Sequence, residues 1–208
     1  MYLKDPEAIE AKSMEIIDRG MDVNNFDGQE LKVIKRTIHT TGDFDYQNIV
    51  AIKKGSIQAG IAAIKSGCRI VTDTKMAFSG INKRSLEQTG CSIACYISEK
   101  EIFKIAEERQ ITRSMAAMDH AVGAGVDIFV IGNAPTALFR IGELISEGKV
   151  FPGLIVGVPV GFVGAAESKE YIRGFEVPSI TTVGTKGGSN VAAAIMNALI
   201  YMAVGRDA

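Results

Sequence analysis

Five apolar runs, CRIVTD, CSIACYIS, DIFVIGNAP, GLIVGVPVG and SITTVGT, recur between residues 68 and 185, each followed by a helical stretch. The runs are continuous rather than alternating, so each predicts a strand buried on both faces. Such strands need a layer of helix on either side. The pattern therefore predicts an α/β fold of three layers, with a five-stranded parallel sheet and helices on both faces. No repeat, low-complexity segment or linker interrupts it, and 208 residues suit one domain, so 1–208 reads as a single unit.

Ahead of the runs, residues 5–19 read as a helix with Asp5 as N-cap, Pro6 at its first position and Gly20 as its stop. A second helix begins at Asp27, where Glu30 completes a capping box, and ends near Gly42. Its apolar face is Leu31, Ile34 and Ile38, with Arg36 and His39 projecting from neighbouring positions on one flank. A third helix is predicted over 53–66, ending at Gly67.

Charge and composition narrow the function classes. A net charge of −1 gives no argument for nucleic acid or a membrane surface, so an anionic ligand needs locally focused cations. The longest apolar-rich run, VAAAIMNALIYMAVG, is 15 residues, short of the roughly 20 that span a bilayer. The start, MYLKDPEAIEAKS, has no apolar core behind a basic cluster and so does not read as a secretory signal. An odd set of three cysteines, Cys68, Cys91 and Cys95, then predicts reduced thiols in a cytoplasm. Cys91 and Cys95 share a face of a predicted strand but lack a second ligand pair, so all three read as buried structural residues and no metal is expected.

In open parallel sheets, ligands bind beyond the carboxyl ends of the strands. Polar residues and glycines gather there, in 72–81, 132–139, 158–168 and 184–190. Turning the chain would explain any one of these loops; several on one edge favour a binding site. In GTKGGSN, glycines precede the last helix and Lys186 adds charge, which suits contact with an anion. Arg113, in TRS, stands at another helix start, where a solvated arginine is the plainer reading. His39 has a side chain able to exchange a proton near neutrality, although a histidine at the edge of an apolar stripe is commonly structural. His120 reads as packed within a helix.

Seven strings go further than spacing does: EAKSMEII, KRTIHTTGD, VTDTKMAFSGI, TRSMAA, IGNAPTALF, GVPVGFVGAAESK and GTKGGSNVAAAIMNAL. In these the chain closely resembles the precorrin-8X (cobalt-precorrin-8) methylmutase family, nearly end to end. The resemblance implies a flavodoxin-like fold and a homodimer with substrate held near the subunit interface. It implies a methyl shift between neighbouring carbons of ring C in an anionic corrinoid precursor, giving hydrogenobyrinate or its cobalt-containing counterpart, cobyrinate, with no cofactor. Carried over residue by residue, the acid/base group is His39 and the substrate-contacting residues are Ser13 and Arg36. Arg113 and Lys186 join the substrate-binding set, and Met76, Phe78, Phe139 and Phe162 are candidates for an apolar floor under the ring. The competing readings are a non-catalytic tetrapyrrole carrier and, from fold alone, a nucleotide-binding domain, against which the missing GxGxxG counts.

Overall fold

The computed structural model describes residues 2–206. The chain runs α1 (Pro6–Gly20), α2 (Gly28–Thr41), α3 (Tyr46–Ile49), β1 (Val50–Ile52), α4 (Ser56–Lys65), β2 (Arg69–Thr72), α5 (Lys75–Gly80), α6 (Lys83–Glu87) and β3 (Ser92–Ala94). It continues through α7 (Lys100–Arg109), α8 (Arg113–Gly123), β4 (Ile128–Ile131), α9 (Pro135–Ser146), β5 (Leu154–Gly157), α10 (Ala165–Arg173), β6 (Ser179–Thr182) and α11 (Ser189–Ala203).

The sheet corrects the five-strand expectation. Among the described residues it has six strands in the order β1-β6-β5-β4-β2-β3, and β1 pairs antiparallel with β6 while every other pairing is parallel. The added strand is the three-residue edge VAI, which lies just before the stretch read as a helix from 53. Three residues are too few to display a period. The helix that follows is correspondingly shorter, Ser56–Lys65. The five predicted strands are all present and parallel to one another.

Alternate residues of the central strands feed two separate cores. Ile70, Ile128, Val130, Leu154, Val156 and Ile180 pack with α2, α4 and α11 on one face. Val71, Phe129, Ile131 and Ile155 pack with α7, α8, α9 and α10 on the other. Strands β4 and β5 are buried along their whole length, which is why their sequences are apolar without alternation.

The N-caps fall where the sequence puts them, but α1 runs through its predicted stop: Gly20 is its last helical residue and Met21, in extended conformation, caps it. Asp5 accepts from the Ala8 amide, and Asp27 and Glu30 form the reciprocal capping box of α2. Gly42 ends α2 at φ 66°, a left-handed conformation suited to glycine. The buried face of α2 differs slightly from expectation: Val33, Ile34, Thr37 and Ile38 are buried and Leu31 only half so. The cysteines need a larger correction. Cys68 alone is buried, Cys91 and Cys95 are half-buried on either side of β3, and the Cys68 and Cys91 sulfurs approach to 3.4 Å.

Candidate active site

The last turn of α2 lies against the first half of α11, where Ala192, Ala193 and Ala194 keep that surface low. Arg36, His39 and Thr40 from α2 face Asn190, Ala193 and Asn197 from α11 across an open cleft of about 310 Å³, with Gly80 at the end of α5 closing one side. The glycine is required by space: a Cβ there would stand 2.8 Å from that of Ala193. Asn197 holds the same corner, donating to the Gly80 carbonyl (2.9 Å) and accepting from the Asn82 amide (2.8 Å). His39 and Asn190 are exposed to the cleft.

Arg36 is held on its way to the cleft. Its guanidinium donates to Glu10 of α1 (3.1 Å) and lies 5.0 Å from the centre of the Tyr201 ring, leaving the side chain 15% exposed. Its Nε is buried with no hydrogen-bond partner among the described residues. Ser13, also on α1, is half-buried outside this cleft and donates its hydroxyl to the Ile9 carbonyl. Arg36 and Ser13's neighbour Met14 line a smaller cavity of about 160 Å³ between α1 and α2.

Lys186 sits beyond the end of α2. Its ammonium donates to Asp43 (2.6 Å) and Asp45 (3.1 Å). The shared hydrogen bond holds the Asp43 carboxyl below its usual range and pushes the Lys186 ammonium up. Two of the glycines of GTKGGSN, Gly187 and Gly188, are spent on packing. The Gly188 amide donates to the Val158 carbonyl (2.8 Å), and a Cβ on Gly187 would fall 2.2 Å from that oxygen. Arg113 is exposed at the start of α8, on the other face of the sheet, with its guanidinium 4.6 Å from the centre of Phe103. The structure thus brings Arg36 and His39 together, and leaves Ser13, Arg113 and Lys186 outside their cleft. Among the floor candidates, Met76 and Phe162 are exposed, while Phe78 and Phe139 are half-buried against Lys83 and Tyr171. His120 packs edge-on against Tyr96, with ring centres 4.6 Å apart.

At the end of β2 lies a residue that the sequence did not single out. Asp73 follows β2 directly and is 1% exposed; its carboxylate accepts from the amides of Gly132 (2.9 Å), Asn133 (2.8 Å) and Ala134 (2.8 Å). Burial raises its pKa, and the three amide donors pull it back. Next to it, the Thr74 and Ser189 hydroxyls bond at 2.8 Å, tying the end of β2 to the start of α11. Among the described residues no three His, Cys, Asp or Glu side chains group to hold a metal ion.

The family profile described as precorrin-8X methylmutase matches residues 8–202. The chain belongs to the precorrin-8X methylmutase family. Among its relatives is a cobalt-precorrin-8 methylmutase of Leptospira interrogans, 44% identical over 203 residues, covering 93% of this chain and 92% of that protein. A cobalt-precorrin-8 methylmutase of Salmonella typhimurium is 45% identical over 207 residues, covering 96% and 97%. The solved precorrin-8X methylmutase of Thermus thermophilus superposes with a TM-score of 0.89 at 36% identity, over 97% of this chain and 98% of that one. The family's methylmutases are isomerases, and of this chain's two imidazoles His39, which lines the cleft, is exposed and His120 half-buried.

Proposed function

We propose that this chain is the isomerase that moves a methyl group between neighbouring carbons of ring C of precorrin-8 or cobalt-precorrin-8 in cobalamin biosynthesis. One observation carries the reading: a proton-exchanging imidazole and an arginine share one open cleft, in a chain of this family. A sigmatropic methyl shift needs no nucleophile, no redox partner and no activated group. It needs the macrocycle held in its reactive tautomer, and a proton delivered to a ring nitrogen polarises it toward migration. His39 supplies that proton. Arg36 offers a planar fork to the substrate's carboxylates, and Ser13, next in the chain to the Met14 that shares a cavity with Arg36, adds a hydroxyl. Arg113 extends the cationic set in a weaker role, and Lys186 serves it indirectly, by neutralising Asp43 and Asp45 beside the cleft.

A corrinoid is much larger than the cleft, so one edge of the ring enters and the rest needs cover. Strand-end residues Met76 and Phe162 are open for contact with it. A second copy of the chain would complete the enclosure, and a cytoplasmic homodimer built from the single 1–208 domain is the assembly that fits this reading. Mixing the purified protein with metal-free and with cobalt-bearing precursor, and following the visible spectrum, tests it. Conversion of one or both is expected; tight binding of both with no spectral conversion would make the protein a carrier and sink the proposal.

A further inference from the structure

Lys169, on α10, is 0% exposed and has no carboxylate partner among the described residues. A buried, unpaired ammonium is costly, and an apolar side chain would fill the same space more cheaply. What the ammonium does is specific. It donates to the Lys186 carbonyl (2.8 Å) and to the Thr182 hydroxyl (3.0 Å), and that hydroxyl in turn donates to the same carbonyl (2.7 Å). The backbone of Lys186 is therefore fixed by two converging donors. Its side chain leaves in another direction, to Asp43 and Asp45. The Asp43 side chain accepts from the Asp45 amide (2.9 Å), and the Tyr46 hydroxyl meets the Gly187 carbonyl at 3.5 Å.

We infer that Lys169 is a positioning residue for the cleft: through Lys186 it fixes the last turn of α2, which carries His39, and the start of α11, which forms the facing wall. Asp43 lies four residues past His39, directly after the Gly42 cap, so a shift of Lys186 is transmitted to that turn. Ser189 opens α11 three residues after Lys186, so the same shift moves Asn190. One buried ammonium thus sets the separation of two walls that belong to different parts of the chain. The catalytic side of this inference rests on the isomerase reading above. The positional side does not.

The test uses two variants that approach the relay from opposite ends. Lys169→Met removes the buried donor, and Asp43→Asn with Asp45→Asn releases the Lys186 side chain from its carboxylate partners. With only two histidines in the chain, the His39 ring-proton resonance is assigned by removing His120. The expected result is a displaced His39 resonance in both variants, and turnover reduced about tenfold with KM little changed, the signature of a misplaced catalytic group. Combining the variants should add little to either alone, because they break one relay. A lowered melting temperature with an unmoved resonance and wild-type turnover would leave Lys169 merely structural and overturn the inference. If Lys169→Met does not fold, Thr182→Val, which removes the hydroxyl joining the Lys169 ammonium to the Lys186 carbonyl, is read in its place. A wild-type protein that converts no precorrin-8 while the resonance still moves would sink the isomerase reading and leave the relay standing.

Discussion

An exposed imidazole and a nearly buried guanidinium face the same cleft, and in the proposed reaction their difference in exposure divides the work between them. His39 keeps its solvent contact and can exchange protons, whereas Arg36 is oriented by Glu10 and Tyr201 before any ligand arrives. Preorganisation of that kind favours binding over chemistry. His39→Ala should therefore lower turnover by about 10² or more, the usual scale of acid/base catalysis, while corrinoid still binds. Near-wild-type turnover in that variant would remove the assigned role. His120→Ala, which loses only a ring contact with Tyr96, is the matched control and should be almost silent. At this scale the sequence was informative about residue type and neighbourhood: the three-residue spacing in RTIH was enough to place both side chains on one flank of α2. It could not say that Lys186 is bracketed by Asp43 and Asp45, because those partners lie more than 140 positions away along the chain.

At the scale of elements, the strand ends are tied by side chains to backbone. Asp73 is the knot between β2 and the segment leading into α9. Asp73→Asn would turn an amide NH2 toward backbone N–H groups and leave at least one of them unmatched, a loss of about 3 kcal/mol in unfolding free energy at neutral pH. A denaturant midpoint equal to wild type would refute this. Lys169 makes a second prediction. Burial lowers its pKa from 10.5 to about 8, so between those values the folded protein has released a proton that the unfolded chain still holds. Stability attributable to this group therefore rises with pH across the window from about 8 to 10.5. The difference in denaturant midpoint between wild type and Lys169→Met should shift in favour of wild type over that range; a difference independent of pH would contradict it. The five parallel strands were legible because burial on both faces demands continuous apolar runs. Strand β1 was not, since it is three residues long and pairs only at an edge. Lys169 was equally hidden: in the string ESKE it looks like one charge among several on a solvated helix face, yet its neighbours in space come from β6 and the loop after it.

Across the whole molecule there is no field to gather an anionic macrocycle, because the net charge is −1. Capture must depend on where individual cations stand and what already neutralises them. Arg36 has one carboxylate partner; Arg113 stands on the far face of the sheet; Lys186 has two carboxylates against its single charge. Arg36→Ala should weaken product binding by about tenfold or more, the worth of one charge-assisted hydrogen bond, and should flatten its salt dependence. Arg36→Lys should recover part of the affinity, since an ammonium cannot form the two-pronged contact. Arg113→Ala should show a weaker version of the same change. Lys186→Ala should behave differently in kind. It unmasks Asp43 and Asp45 near the cleft, so affinity falls through repulsion of the ligand's carboxylates, most strongly at low ionic strength. Adding Asp43→Asn and Asp45→Asn to Lys186→Ala should then restore binding toward wild type. Titrating product into each variant at low and high salt reads all of these together. If neutralising both aspartates fails to restore affinity, Lys186 gives up its aspartate partners to hold the ligand directly, and the binding surface extends past the end of α2.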